Sequence, residues 1–271
     1  MCNINYLKFK LTRLKFIRIV LYIPFLVKHY LGLFVYQFTK DKAKIKSFYN
    51  LYEGKRCFIL GNGPSLSIDD LNLLKNEITF GFNSLFMVYN QTDFRPNYYM
   101  AADYHFFQNN KKVVQDIIEE NKSTFMFFHL YKKYIKSNDS VISFFHNCIY
   151  KITPDSFRKK SVNPKPYKYI SMYYSVVCMA IELAFYMGFK NIFLLGIDFS
   201  QSNTTKPMHF YKETSNNLKT YMFFKESMIS CYSALHQYAI KNNINIYNAS
   251  RQTELTEFPL ISLDTVLSRG L

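Results

Sequence analysis

A short apolar run that ends in a turn of small residues is the feature that most constrains the fold of this sequence. Residues 57–60 are apolar, and Gly61-Asn62-Gly63-Pro64-Ser65, here named the GNGPS turn, follows them. The apolar spacing after Asp69 and Asp70 then predicts a helix. Strand, small-residue turn and helix is the arrangement by which α/β proteins present backbone N–H groups to a phosphate.

The composition of the GNGPS turn favours a ligand. Its two glycines lack the Cβ atoms that would keep a phosphate away, and its Asn or Ser side chain can hydrogen-bond a phosphate or a ribose. No Gly-Lys-Ser/Thr follows, and the spacing is not GxGxxG, so the turn is neither a P-loop nor a dinucleotide fingerprint. The alternative is an ordinary strand–helix turn that binds nothing.

Strands and helices are predicted to alternate along the rest of the chain. The predicted strands are residues 56–60, 78–83, 97–102, 125–128, 191–196 and 244–247, and the predicted helices are residues 103–120, 172–187 and about 224–241. Residues 131–168 are aromatic and basic and show no clear periodicity. The alternation predicts an α/β fold with a Rossmann-like, mostly parallel sheet and helices on both faces.

Four of the predicted strands lead into a polar residue. These residues are Asn62, Asn83, Asp103 and Asp198. Parallel strands place their carboxyl ends on one edge of the sheet, where open α/β sheets bind ligands, so we expect a shared site there. Each residue could instead cap the helix that follows it, and both interpretations stay open for Asp103.

The segment that follows Asp198, residues 199–220, is the predicted lid. Loops of this length between a strand and a helix often carry function. It contains His209, and the ordinary pKa of histidine lies close enough to neutrality for a general base. A surface histidine in a loop is the alternative.

The amino-terminal part of the chain, residues 1–44, is predicted to be a separate basic and aromatic segment. The formal net charge is +15, and residues 19–38 are an apolar stretch between two groups of basic residues. Lys28, at its centre, would be costly inside a bilayer, so we expect an amphipathic helix on an anionic membrane surface. The alternative is a helix packed on the protein's own core or on another subunit. No nucleic-acid-binding motif occurs, and none is predicted as a partner.

The cysteine pattern and the acidic residues bound the chemistry further. Five cysteines are scattered without a CxxC pair, which predicts a reducing, cytoplasmic environment without disulfides or zinc. Cys57 and Cys178 lie in apolar runs and are predicted to be buried thiols. No Asp-x-Asp follows a strand, so we predict neither a bound metal nor a resident cofactor. The predicted reducing environment and the basic segment together predict a cytoplasmic protein that is peripheral on the inner membrane.

Two motifs together resemble known families. The GNGPS turn with Asn83, followed late in the chain by Gly196-Ile197-Asp198-Phe199, is similar to the family-42 bacterial sialyltransferases. The same order also resembles proteins related to archaeal hydroxymethylpterin diphosphokinases, the DUF115 or MptE-like group. The resemblance covers most of residues 54–251 and implies a GT-A-like variant of the Rossmann-like fold, with residues 45–271 as the catalytic domain.

The sialyltransferase resemblance implies a site for a CMP-linked sugar donor. Under it, His209 deprotonates the acceptor hydroxyl and Tyr211 contacts the leaving phosphate. The nucleotide site is expected to comprise Gly61, Asn62, Gly63, Ser65, Asn83, Asp103, Ser175 and Asp198. The sequence departs from the family at Ser200, where a Tyr is usual, and at Tyr169-Ile170-Ser171, where an Arg is usual.

Three functions follow as alternatives. The first is a metal-independent glycosyltransferase that moves an acidic sugar from a CMP-sugar to a surface glycan or a glycolipid. The second is a diphosphokinase that uses ATP and Mg²⁺, with Asp103 and Asp198 holding the metal. The third is an inactive membrane-associated scaffold. A homo-oligomer is compatible with each of them.

Overall fold

Seven parallel strands form the central sheet of the computed structural model, which describes residues 15–136, 138–147, 162–163, 165–171, 175–199 and 218–270. The strands of the chain are β1 (Arg56–Leu60), β2 (Thr79–Phe82), β3 (Tyr98–Ala101), β4 (Thr124–Phe128), β5 (Val141–Phe144), β6 (His146–Asn147), β7 (Ile170–Ser171), β8 (Asn191–Leu195) and β9 (Asn245–Asn248). The sheet order is β5-β4-β3-β2-β1-β8-β9, and β6 pairs with β7 separately. The predicted Rossmann-like parallel sheet is confirmed.

Eight α-helices and two 3₁₀ helices connect the strands within the described residues. The helices are α1 (Lys15–Tyr36), α2 (Lys40–Lys46), α3 (Ile68–Leu73), α4 (Tyr104–Asn109), α5 (Lys111–Glu120), α6 (Val176–Tyr186), α7 (Leu218–Lys241) and α8 (Leu263–Arg269), with 3₁₀ turns at Asn83–Val88 and His129–Tyr134. Right-handed connections place the helices between β1 and β5 on one face of the sheet. The helices that lead to β8 and β9 lie on the other face, because there the chain adds strands in the opposite direction. Helices therefore occupy both faces, as predicted.

The strand order places a topological switch point between β1 and β8. From β1 the chain adds β2 to β5 on one side, and it returns to add β8 and β9 on the other. Open α/β sheets bind ligands in the crevice outside the carboxyl ends at such a point. The GNGPS turn leaves β1 at this edge, and residues 196–199 leave β8 beside it.

Helix α6 runs antiparallel to the strands, so its amino terminus lies at the carboxyl edge. It ends at Tyr186, and Gly188, whose φ of +87° suits glycine, begins the short turn that leads into β8. The backbone of Gly54, just before β1, donates to the Gly188 carbonyl at 3.0 Å, which fixes the carboxyl end of α6 at the amino edge. Along its length α6 contacts β1, β2 and β3.

Three predicted elements differ from the structure. The helix predicted over residues 103–120 is two helices, because Asn110 ends α4 and starts α5 with a non-helical φ of −125°. The helix predicted from residue 172 begins at Val176, and residues 172–174 lie outside the described part. Within the unreadable stretch 131–168, the four-residue strand β5 went unrecognised.

The amino-terminal helix packs on the α/β body along one side. The Tyr36 hydroxyl donates to the Ser143 carbonyl of β5 at 2.9 Å, and the rings of His29 and Phe145 are in contact. Tyr36, Asp41 and Ile45 are buried. The boundary at residue 44 stays a prediction, and these contacts cross it. Among the described helices, none has the length and hydropathy needed to cross a bilayer.

Candidate functional site

Backbone hydrogen bonds fix the GNGPS turn to the end of β8. Gly61 N donates to the Leu195 carbonyl at 2.7 Å, and Gly63 N donates to the Gly196 carbonyl at 2.8 Å. A Cβ on Gly61 would lie 2.3 Å from the Gly196 carbonyl oxygen, and one on Gly63 would lie 2.6 Å from the Asp198 carboxyl carbon. The glycines therefore make room for the neighbouring strand end, and their expected contact with a phosphate stays a prediction.

The Asp198 carboxylate is the second link between the turn and β8. It accepts from the Ser65 backbone N–H at 2.7 Å and from the Ser65 hydroxyl. Burial raises the pKa of Asp198, and the two hydrogen bonds from Ser65 oppose that rise. With Pro64 carrying no N–H, three of the four N–H groups of the GNGPS turn serve the protein itself. These three N–H groups are directed at the protein, and the binding of a phosphate by the turn stays a prediction.

Two buried amide oxygens at adjacent strand ends have no hydrogen-bond partner in the described part of the chain. They are Oδ1 of Asn62, after β1, and Oδ1 of Asn83, after β2. The Asn62 amide donates to the Phe82 carbonyl at 3.3 Å, and the Tyr99 hydroxyl donates to the Asn83 carbonyl. Asn83 has a φ of +41°. Because buried acceptors are rarely left unpaired, this pair suits a ligand that brings N–H or O–H donors.

The amino terminus of α6 brings Ser175 to the same edge. The Ser175 hydroxyl caps α6 by accepting from Val177 N at 3.3 Å, and it lies 3.3 Å from the Tyr232 hydroxyl. The Tyr232 ring contacts Phe199, which continues the β8 end. A helix amino terminus carries partial positive charge, so an anion is favoured beside Ser175. Tyr99 and Tyr232 were not found from the sequence, because tyrosine is common throughout this chain.

Asp103 lies at the carboxyl edge but has a structural role. Its carboxylate caps α4 by accepting from Phe106 N at 2.8 Å. Strands β3 and β8 are three positions apart in the sheet, which separates their ends by roughly 14 Å. Mg²⁺ ligands lie about 2.1 Å from the ion, so Asp103 and Asp198 do not hold one Mg²⁺ between them. No cluster of three His, Cys, Asp or Glu side chains suited to a metal occurs among the described residues.

Arg251 and Asp70 form an ion pair beside the GNGPS turn that the sequence did not indicate. Both terminal nitrogens, Nη1 and Nη2, of the Arg251 guanidinium donate to the Asp70 carboxylate, and Nη1 also donates to the Ser65 carbonyl at 2.9 Å. Asp70 caps α3 together with Ser67, as predicted for a helix start. Burial acts to raise the pKa of Asp70, but hydrogen bonds from Arg251 and Ser67 hold it below its ordinary value. A cavity of about 390 Å³ opens here, lined by Arg251 and by the segment 260–264.

Replacing Arg251 with Met lowers the free energy of unfolding by about 2 kcal/mol, because the buried Asp70 carboxylate loses its cation. Lys122→Met is the comparison. Lys122 and Arg251 are both 58% exposed, but the Lys122 partner, Glu120, is 28% exposed against 2% for Asp70, and Glu120 keeps its ion pair with Arg95. We expect the control to cost under about 0.5 kcal/mol.

Urea unfolding of both variants tests this. In the wild type, ionised Asp70 contributes to the free energy of unfolding at pH values above the pKa of Asp70 in the unfolded chain. This contribution is lost as the pH falls through the lower pKa of Asp70 in the folded protein. Arg251→Met weakens this dependence of the free energy of unfolding on pH. Equal costs for the two variants would contradict the role of burial.

The predicted catalytic residues His209 and Tyr211 lie outside the described residues, as does Ser200. The same holds for most of the predicted lid, from residue 200 to residue 217. Of the other predicted site residues, the structure brings Gly61, Asn62, Gly63, Ser65 and Asp198 together at the ends of β1 and β8, with Asn83 next to them on β2.

Two solved structures and one protein-family model are similar to this chain. No curated protein sequence matches this chain. A solved structure of the sialyltransferase CstII from Campylobacter jejuni with cytidine-5'-monophosphate matches with 19% identity and a TM-score of 0.46, covering 78% of this chain and 86% of that one. A second CstII structure, with CMP-3FNeuAc, matches with 18% identity, a TM-score of 0.45 and coverages of 77% and 86%.

One protein-family model matches a large part of this chain. The model described as 6-hydroxymethylpterin diphosphokinase MptE-like matches residues 35–204, which is more than half of the chain. The matched range includes the GNGPS turn, Asn83, the amino terminus of α6 and Asp198. The chain therefore belongs to the 6-hydroxymethylpterin diphosphokinase MptE-like family.

Proposed function

We propose that this protein is a nucleotide-dependent transferase whose donor is a CMP-activated acidic sugar. The observation that carries the proposal is the pair of unpaired buried oxygens, Asn62 Oδ1 and Asn83 Oδ1, at the switch-point edge. The exocyclic amine of a cytosine and the hydroxyls of a ribose are donors of the kind that these acceptors lack. The amino terminus of α6, at Ser175, offers a place for the phosphate at the same edge.

The choice of a CMP-sugar comes from the motifs. The GNGPS turn, Asn83 and residues 196–199 carry the resemblance to family-42 sialyltransferases, and that resemblance assigns His209 and Tyr211 their roles. In the proposed step His209 takes the proton of the acceptor hydroxyl while the hydroxyl oxygen bonds to the anomeric carbon. The bond from that carbon to the phosphate oxygen breaks, and CMP leaves with the electron pair.

Metal-independent chemistry is supported by how the acidic residues at this edge are used. Asp198 accepts from Ser65, Asp70 pairs with Arg251, and Asp103 caps α4. The charge that develops on the leaving phosphate would be stabilised by the α6 amino terminus and by hydroxyl groups, including that of Tyr211. A surface glycan or a glycolipid is the proposed acceptor.

Asn83→Gly raises the KM for the nucleotide donor about tenfold, because it deletes one acceptor worth ~1.5 kcal/mol while glycine retains the positive φ. Asn121→Gly is the matched control: Asn121 has a φ of +53° and ends α5 at the opposite edge of the sheet. We expect both variants to unfold at the same urea concentration and only Asn83→Gly to lose donor affinity.

A donor screen tests the reaction itself. The full chain is incubated with a glycan or glycolipid acceptor and with CMP-sialic acid, CMP-Kdo, UDP-sugars or ATP, with and without EDTA, and nucleotide release is followed. Release of CMP that persists in EDTA and is lost in His209→Ala supports the proposal. No release from any donor would overturn it and favour the inactive scaffold.

A diphosphokinase that uses ATP and Mg²⁺ is the second candidate, because the family model that matches residues 35–204 carries that description. ATP consumption that requires Mg²⁺ would favour it over the first. Its metal ligands would have to be other than Asp103 and Asp198 acting on one ion.

A further inference from the structure

We propose that the outward face of α1 lies flat on an anionic lipid surface. Five large apolar side chains of α1 and one in the turn that follows it form this surface, here named the outer stripe, and all are exposed: Ile23, Val27, Tyr30, Leu31 and Phe34 on the helix, and Phe38 in the turn. Their spacing of three, four or seven places keeps them on one side of a helix. The stripe extends over about 22 Å. The proposal does not depend on which reaction the protein catalyses.

The opposite face of α1 is held by the protein. His29 and Tyr36 are buried and both contact Phe145, and Gly32 lies so close that an added Cβ would be 3.2 Å from the Phe145 ring. Because this face packs on Phe145 and on the Ser143 carbonyl of β5, the helix cannot present its whole circumference to lipid. An interfacial position, with only the stripe immersed, fits this arrangement.

The outer stripe holds more exposed apolar side chains close together than any other segment of the described residues. Outside this helix and the turn after it, the exposed large apolar side chains of the described residues are Tyr49, Leu51, Leu73, Met87, Ile240 and Leu260, and none of them continues a helical stripe of this length. Single exposed apolar residues are normal, whereas a contiguous patch marks an interaction surface.

Charge selects lipid over a second copy of the chain. The first forty residues contain seven Lys or Arg and no Asp or Glu. Beyond the stripe, Lys42 is repelled by Lys46 and Lys168, which together with burial lowers its pKa. Two copies of a chain with a net charge of +15 repel one another at such a face, while anionic headgroups neutralise it.

Vesicle flotation tests the proposal with the full chain. Phosphatidylcholine vesicles with phosphatidylglycerol are compared with pure phosphatidylcholine vesicles. The stripe variant combines Val27→Asn, Leu31→Gln and Phe34→Ser, whose side chains are about as exposed as those of the control set, Leu73→Gln, Ile240→Asn and Leu260→Gln. We expect the stripe variant to bind the anionic vesicles at least about tenfold more weakly than the wild type, and the control to bind as the wild type does.

Two further readouts complete the test. Binding should need phosphatidylglycerol and weaken at high salt, because part of the attraction is electrostatic. Equal binding by the stripe variant and the wild type would overturn the proposal. So would a wild-type dimer, seen by sedimentation without vesicles, that the stripe variant converts to a monomer, since the face would then be a subunit interface.

Discussion

Gly61→Ala lowers the free energy of unfolding by about 3 kcal/mol or more, and the protein accumulates poorly in soluble form. The added Cβ would lie 2.3 Å from the Gly196 carbonyl oxygen and 2.9 Å from the Gly196 carbonyl carbon. Backbone atoms of a strand end cannot rotate away as a side chain can. Relief therefore requires β1 and β8 to separate where Gly61 N donates to the Leu195 carbonyl. Urea unfolding of the purified variant measures the loss.

Gly54→Ala is the control for this substitution. Gly54 has a φ of +76°, but no atom lies within 4 Å of its added Cβ. The control therefore costs only the strain of a left-handed backbone, about 1 kcal/mol. If the two variants unfold at the same urea concentration, the close approach of the GNGPS turn to β8 contributes nothing, and the account of Gly61 fails.

Asp198→Ala is expected to cost about 3 kcal/mol and to abolish transferase activity. The substitution leaves the Ser65 backbone N–H and hydroxyl without their shared acceptor, so the GNGPS turn loses its side-chain link to β8. Asp103→Ala is the matched control, because Asp103 also follows a strand but only caps α4, and we expect about 1 kcal/mol there. An Asp103→Ala effect as large as that of Asp198→Ala would contradict the anchoring role.

The dependence of the free energy of unfolding on pH tests the environment of the Asp198 carboxyl separately. Because burial raises the pKa of Asp198, the folded protein holds this proton more tightly than the unfolded chain does. Its contribution to the free energy of unfolding is greatest below the unfolded pKa, about 3.9, and declines as the pH rises through the folded pKa. Asp198→Asn removes this decline, and the difference between the two proteins isolates it from the opposite trend at Asp70.

The sheet could be predicted from the sequence because its strands are short apolar runs with polar ends. Strand β8, for example, is buried along four of its five residues and is followed by Gly196. Strand β5 could not be predicted, because its four residues lie in an aromatic, basic stretch in which no hydrophobic periodicity is visible. The break at Asn110 was also missed, since the apolar face of α5 continues the pattern that begins before it.

The polar residues at the strand ends could be placed from the sequence, whereas the contacts between them could not. Polar residues at strand ends identify the carboxyl edge, and Asn62 and Asn83 lie there with unpaired oxygens. Strand order is a long-range property that periodicity does not contain, so the contact of β1 with β8 was not foreseen. For that reason the glycines of the GNGPS turn and the side chains of Ser65 and Asp198 were assigned to a ligand, although they contact one another.

The docking of α1 and α2 on β5 has a consequence for any shortened form of the protein. Strand β5 is at the end of the sheet, and its side chains Val141, Ile142 and Phe144 are buried. The Tyr36 hydroxyl donates a hydrogen bond to one backbone carbonyl of β5, and α2 contacts the strand. Removal of the first forty-six residues would uncover unpaired backbone next to apolar side chains, a template for intermolecular β-pairing. The amino-terminal helices thus cover an edge strand that would otherwise be open to such pairing.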